Sequence, residues 1–339
     1  MFRLCLLLIC QFLLVLSSCA AQATPTSSGY AAGIYYQTFG TGQPVLIING
    51  GPGLDSSGFE AVAQTIAAQG YQTILFDQRG TGRSNLADIN EKTIRLDLMV
   101  QDIEQLRQHL EHEKWVILGH SFGGMLGAAY AAQYPQHIEK LIFSSSGGLD
   151  LQFREHVAER LLNNLGLQEQ IKMQMYQLRQ RSGDDSENTR DMLAQLRAKA
   201  YVVDQSKVPL VAARLKVVNM TINNLVFTDL EKTHFDLKAQ FKNFAAPVLV
   251  MQGENDVIST ETAKTIADSF TQAELVLLPQ CAHYGWLDQP DLYYNALFRF
   301  LKTAPATKTQ SLADANSNRD TASGVTRQAV SAEKTLTHR

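Results

Sequence analysis

Residues 115–124 read Trp-Val-Ile-Leu-Gly-His-Ser-Phe-Gly-Gly, and this stretch decides the fold. A short apolar run ends in Gly119-His120-Ser121-Phe122-Gly123, which fits the pattern G-x-S-x-G, and a helical segment over Met125–Gln133 follows. A serine on a tight turn from strand to helix has a strained backbone. Small residues two positions to either side let the strand and helix approach, and the turn exposes the hydroxyl at a helix N-terminus, where developing negative charge is favoured. Ser121 is therefore the candidate nucleophile.

Outward from this point the chain repeats one theme. Val45–Ile48, Thr73–Phe76, Leu141–Phe143, Val248–Met251 and Leu275–Leu278 are further short apolar runs, mostly followed by Gly or Pro. Such runs read as strands buried on both faces. Leu96, Val100, Ile103, Leu106 and Leu110 recur at helical spacing between two of them. Alternating strands and helices imply right-handed crossovers and a mostly parallel central sheet flanked by helices, an α/β fold with ligands beyond the carboxyl ends of the strands. The segment 149–245 breaks the alternation with helical, polar-rich stretches such as Glu155–Leu165 and Asp191–Val203, and reads as a helical cap inserted over those strand ends. The core is then 30–148 together with 246–302.

A serine nucleophile needs a base, and the base an orienting acid. His283 follows the last apolar run in Cys281-Ala282-His283, and Asp256 follows the fifth run in Gly253-Glu254-Asn255-Asp256, with Glu254 as the backup acid. Ser, acid, His is the chain order this fold requires. Two backbone amides should hold the oxyanion: that of Phe122, directly after the nucleophile, and that of Gly51 in Gly50-Gly51-Pro52-Gly53. Asp77 and Arg79 read as loop braces joined by a buried ion pair. Cys281 reads as a small buried packing residue.

The ends carry other signals. Met1–Arg3 is a short basic start and Leu4–Leu16 an apolar run of about 13 residues, against the ~20 a membrane span needs. This is a signal-peptide pattern. Leu16-Ser17-Ser18-Cys19 resembles a bacterial lipobox, which would make 1–19 a lipoprotein signal and Cys19 the lipidated residue. The alternative is a plain secretory signal cleaved near Ala21 or Ala23. The expected location is the cell envelope, with membrane attachment through Cys19 and the protein facing the periplasm, or a soluble exported form. Residues 20–29 read as a linker, and 303–339, rich in Ala, Ser, Thr, Asn and Lys, as a disordered tail.

Composition excludes other classes. A formal net charge of −3 over 339 residues lacks the basic balance of a nucleic-acid binder. His109 and His112, one helical turn apart among charged residues, read as a solvated helix end; no metal site, cofactor motif or phosphate loop is expected. The expected partner is a small-molecule or short peptide substrate.

Asn49-Gly50-Gly51-Pro52-Gly53, Asp77-Gln78-Arg79-Gly80-Thr81-Gly82-Arg83-Ser84, Asp102-Ile103-Glu104 with Leu106-Arg107, and Gly119–Gly124 together resemble the proline iminopeptidases. The resemblance covers residues 30–150 and the surroundings of Asp256 and His283. It implies the α/β-hydrolase fold and a serine aminopeptidase that binds the substrate's free amine through carboxylates of the cap. Glu155, Glu159, Glu169, Glu187 and Glu231 are the available candidates. Two departures stand out: Asn49 where the family has His, and Gly-His-Ser-Phe-Gly where it has Gly-Gly-Ser-Trp-Gly, the former being common in esterases. A carboxylesterase of small or lipid esters, and a non-catalytic binding protein on the same fold, are the alternatives.

Overall fold

A computed structural model describes residues 24–303. The expectations for the signal segment, for Cys19 and for the tail beyond Thr303 lie outside the described residues.

Among the described residues eight strands form one sheet: β1 (Ser27–Ala31), β2 (Ile34–Phe39), β3 (Gln43–Ile48), β4 (Tyr71–Phe76), β5 (Trp115–His120), β6 (Ile138–Ser144), β7 (Val248–Gly253) and β8 (Ala273–Leu278). Their order is β1-β2-β4-β3-β5-β6-β7-β8. From β4 to β8 every neighbouring pair is parallel, while β1 and β2 join antiparallel. The apolar runs are strands because successive side chains point to opposite faces and both faces are covered. Leu46, Ile48, Ile117, Val248 and Val250 enter one buried cluster, and Val45, Ile47, Val116, Leu118, Leu249 and Met251 enter the other.

Two readings of the strands need correction. β1 and β2 were not expected, since Ile34-Tyr35-Tyr36-Gln37-Thr38-Phe39 interleaves polar and aromatic residues instead of running apolar. β8 is a sheet edge and is half-exposed for most of its length, so it is not buried on both faces.

Among the described residues eleven α-helices are assigned. α2 (Leu96–His109), α3 (Phe122–Gln133) and α9 (Thr260–Asp268) cover one face of the sheet; α1 (Glu60–Ala67) and α11 (Pro290–Lys302) cover the other, after the short α10 (Gly285–Asp288). α3 begins directly at Phe122, three residues before the expected start, because Ser121 itself stands at its N-cap.

Between β6 and β7 lie α4 (Arg154–Asn163), α5 (Leu167–Arg181), α6 (Glu187–Tyr201), α7 (Val208–Lys216) and α8 (Met220–Lys232). This is the helical cap insertion. Leu165, Met173, Leu193, Leu196 and Ala200 form a small core of its own, whereas Ile222, Val226 and Leu230 of α8 reach into the main core.

The charged motif residues of α2 are structural. Arg79 donates Nε to Asp102 Oδ2 at 2.7 Å and Nη2 to Oδ1 at 2.6 Å. Glu104 accepts from Arg107 and from the Tyr130 hydroxyl. The expected pairing of Arg79 with Asp77 is therefore corrected. Asp77 instead accepts from Ser56 N, Ser56 Oγ and Arg83 N, because a carboxylate at a strand end can satisfy several loop amides that a guanidinium cannot.

Candidate active site

Ser121 sits between β5 and α3 with φ +56° and ψ −122°. A side-chain-bearing residue in that region costs roughly 1–3 kcal/mol and persists only where the surroundings enforce it. Here they do. A methyl group on Gly123 would fall 2.1 Å from the Ile48 carbonyl oxygen, one on Gly119 2.4 Å from the Gly123 carbonyl oxygen, and one on Gly50 2.9 Å from Ser121 Cβ. Strand, turn and helix thus close to distances that only glycine permits. The Ser121 amide donates to Ser144 O, and its own carbonyl accepts from Gly124 N and Gly147 N. The backbone is held on both sides while the side chain faces a cavity.

Asp256 and His283 come from the loops after β7 and β8. His283 Nδ1 lies 2.9 Å from Asp256 Oδ1 and 3.1 Å from Oδ2. Asp256 is fully buried and His283 nearly so. A carboxylate offers only acceptors to a ring nitrogen, so Nδ1 carries the proton and Nε2 is left to exchange one. Four further groups fix the pair. Gln252 Nε2 donates to Asp256 Oδ2 at 2.7 Å, and Ile258 N donates to Oδ1. Arg160 of α4 donates twice to the Asp256 carbonyl, and His283 N donates to Tyr201 O. Glu254, the backup acid, is exposed.

Ser121 and His283 line one cavity with two lobes, both bounded also by Gly51, Arg197, Tyr201 and Asn223. The larger, about 460 Å³, has Phe122, Met125, Phe153, Leu161, Phe227 and Ile258 on its walls. The smaller, about 190 Å³, adds His120, Arg214 and Tyr284. Both proposed oxyanion donors, Gly51 and Phe122, therefore border the space in front of Ser121. Gly51 has φ +136° in a loop that Asn49 ties down by donating Nδ2 to Gly50 O and Leu54 O, and Gln78 by donating to Asn49 O. Asn49 thus holds this loop.

His120 is buried against His283, with ring centroids 4.7 Å apart. Burial first, then the neighbouring His283 ring and the Arg214 guanidinium, hold it well below the ordinary histidine value, so it stays neutral. Cys281 is fully buried, and burial pushes its thiol up and away from reactivity. His109 bonds the Tyr36 hydroxyl through Nε2.

None of the five candidate amine-binding glutamates lines either lobe. Glu169 pairs with Lys199, Glu187 with Lys216, and Glu231 with Arg154. Glu155 and Glu159 are exposed, Glu155 beside a separate hollow. Gln252, Arg160, Arg197, Tyr201 and Arg214 were not singled out from sequence. Gln252 lies four residues before Asp256 and could have been; the other four belong to the cap, where helical periodicity does not mark cavity-facing positions.

A sequence profile of the alpha/beta hydrolase fold matches residues 43–290. The chain is 28% identical over 272 residues to a proline iminopeptidase of Heyndrickxia coagulans, covering 78% of this chain and 92% of that one. It is 25% identical over 267 residues to the proline iminopeptidase of Lactobacillus helveticus (strain DPC 4571), covering 76% and 89%. The crystal structure of proline iminopeptidase from Mycobacterium smegmatis superposes with a TM-score of 0.62 at 20% identity, over 81% of this chain and 97% of that one, a likeness of fold. With the eight-stranded sheet, the serine turn and the helical insertion in place, the chain belongs to the alpha/beta hydrolase fold family.

Proposed function

We propose that this protein is a serine hydrolase that cleaves an acyl bond through a covalent acyl-enzyme. The observation that carries it is the meeting of Ser121 and the Asp256-bound His283 at one cavity. Ser121 Oγ attacks the substrate carbonyl while His283 Nε2 takes its proton. Asp256 keeps Nδ1 protonated and stabilises the imidazolium. The amides of Gly51 and Phe122 hold the oxyanion. His283 then returns its proton to the leaving group, and water, activated by the same ring, releases the acid.

The acyl bond is that of an ester or an amide in a small molecule or short peptide. Removal of an N-terminal residue, proline among them, is favoured by the relatives, which are proline iminopeptidases. Ester hydrolysis is favoured by the cavity, which no carboxylate lines among the described residues.

One experiment tests both levels. The purified protein and its Ser121→Ala variant are compared on aminoacyl anilides and short-chain p-nitrophenyl esters, with fluorophosphonate labelling alongside. Labelling and turnover that vanish in the variant are expected. Anilide turnover abolished by acetylating the amine establishes the aminopeptidase, and ester turnover alone the esterase. Folded protein that neither labels nor turns over any substrate is a binding protein, and the proposal fails. We also propose, from residues 1–19, export as a lipoprotein anchored through Cys19; globomycin-sensitive processing and palmitate incorporation lost in Cys19→Ala would test it.

A further inference from the structure

The two lobes that meet at Ser121 differ in chemistry. The larger is walled by aromatic and aliphatic side chains, and its one other cation, Arg154, pairs with Glu231 and stacks over Phe227. The smaller holds Arg197 and Arg214. Arg197, from α6, borders both lobes, and its side chain makes no hydrogen bond or ion pair among the described residues. Arg214, from α7, lies over the Phe59 ring, its guanidinium carbon 5.2 Å from the centroid, and donates to the Asp55 carbonyl. The Tyr284 hydroxyl is a further partner of its side chain, and among the described residues Arg214 has no carboxylate within ion-pair distance. Asp55 acts on it only through space and spends its own carboxylate on Ser57 N and Oγ. Burial pulls the Arg214 guanidinium below its ordinary value.

Cations set into a protein wall with no counter-ion are costly, and the cost is relieved only when a partner charge arrives. Most surface arginines among the described residues have such a partner: Arg95 has Asp97, Arg179 has Asp184, Arg190 has Asp185 and Arg299 has Glu274. At the mouth of the nucleophile the pattern is reversed: Arg197 and Arg214 both border the cavity, and neither has a carboxylate partner among the described residues. Planar forks of this kind bind carboxylates in bidentate fashion.

We infer that the substrate carries a carboxylate, received by Arg197 and Arg214 in the small lobe, and an apolar portion that fills the larger lobe across the scissile bond from it. This rests on the serine hydrolase reading and narrows its substrate class. An amine-bearing terminus placed in the small lobe would face two cations and no acid, so a free amine alone is disfavoured there. The C-terminal carboxylate of a short peptide meets the requirement, as does a half-ester of a dicarboxylic acid. The two differ in which side of the scissile bond bears the charge.

The test uses the full chain and two pairs of esters matched in size. The first pair, p-nitrophenyl hydrogen glutarate and p-nitrophenyl pentanoate, places the charge on the acyl side. The second, the butanoates of 4-hydroxybenzoate and 4-hydroxybenzamide, places it on the leaving side. In one pair the charged ester should exceed its neutral partner in kcat/KM by about 10-fold or more. Arg197→Gln, which removes no hydrogen bond or ion pair among the described residues, should lower the charged-to-neutral ratio by about 30-fold, and Arg197→Lys should restore part of it. The effect should fall mainly on KM. A ratio near one in both pairs, or an Arg197→Gln change that lowers both members equally, overturns the inference while leaving Ser121-dependent turnover and the hydrolase reading intact. Absence of Ser121-dependent turnover of every ester and anilide overturns the hydrolase reading and this inference with it.

Discussion

Between β5 and α3 each backbone position is fixed by steric contact. Gly119, Gly123 and Gly50 touch main-chain or Ser121 atoms so closely that no other residue fits, and Ser121 is forced to a positive φ. Between β6 and β7 the five cap helices are held otherwise. Their own core is the small group around Met173 and Leu193, and Leu167, Ile171, Met175 and Leu178 of α5 stay exposed. The strand-end loops are rigid because their geometry admits one solution; the cap is a set of amphipathic helices docked on them. The difference separates chemistry, which needs sub-ångström placement, from selection of a substrate, which needs only a lined space of the right charge and shape.

The largest effect that would sharpen this division is catalytic. Ser121→Ala and His283→Ala should each lower kcat/KM by on the order of 10⁴-fold or more, with Asp256→Asn close behind, while the thermal midpoint moves little. A cap substitution with an equal effect on kcat would break the division. Next in size is steric. Gly123→Ala, driving a methyl into the Ile48 carbonyl, should cost about 1–3 kcal/mol or prevent folding, read from the urea midpoint. Leu178→Ser on α5, at 65% exposure, should stay within about 0.5 kcal/mol.

A smaller effect tests the seam. Arg160→Ala removes both donors to the Asp256 carbonyl, and should cost about 1–2 kcal/mol and raise KM several-fold; unchanged kinetics would mean that α4 does not steady the acid. The smallest concerns pH. His120 is held neutral first by burial, then by the neighbouring His283 ring and the Arg214 guanidinium. An unfolded chain takes up its proton as pH falls through about 6.5, but the folded one does not, so stability present above that pH is lost on the way down to the folded pKa. The wild type should lose up to about 1.4 kcal/mol per pH unit below 6.5 through this group, and His120→Gln should follow a flatter curve. Parallel curves would show that His120 is not the proton acceptor.

The central strands were legible because burial on both faces writes itself as an apolar run, and the Ser121 turn because glycines are the only solution to its crowding. Asp256 and His283 could be chosen as candidate acid and base by chain order and strand ends, and the structure brings them into contact. β2 was not legible, since pairing at the antiparallel flank lets Gln37 and Thr38 sit among aromatic residues. The Arg79 partner was missed because Asp102 reaches it from a helix 23 residues away. The cavity arginines could not be read at all. Arg197 and Arg214 lie on different helices, and nothing in a 3.6-residue period tells an arginine facing a cavity from one facing water.

The bonds that fasten the cap to the site loops end, on the core side, mostly on main-chain atoms. Arg160 binds the Asp256 carbonyl, Asn164 that of Asn255, Asn223 that of Pro52, and Arg214 that of Asp55, while Asn219 N binds Gly53 O and Tyr201 O receives His283 N. Asp288, which accepts from the amides of Val203 and Asp204, is the exception. A carbonyl oxygen is the same whatever side chain follows it. Cap and core can therefore drift apart over generations without losing their grip on each other, and a foreign helical insertion could be grafted between β6 and β7 if it returned donors to those same few carbonyls.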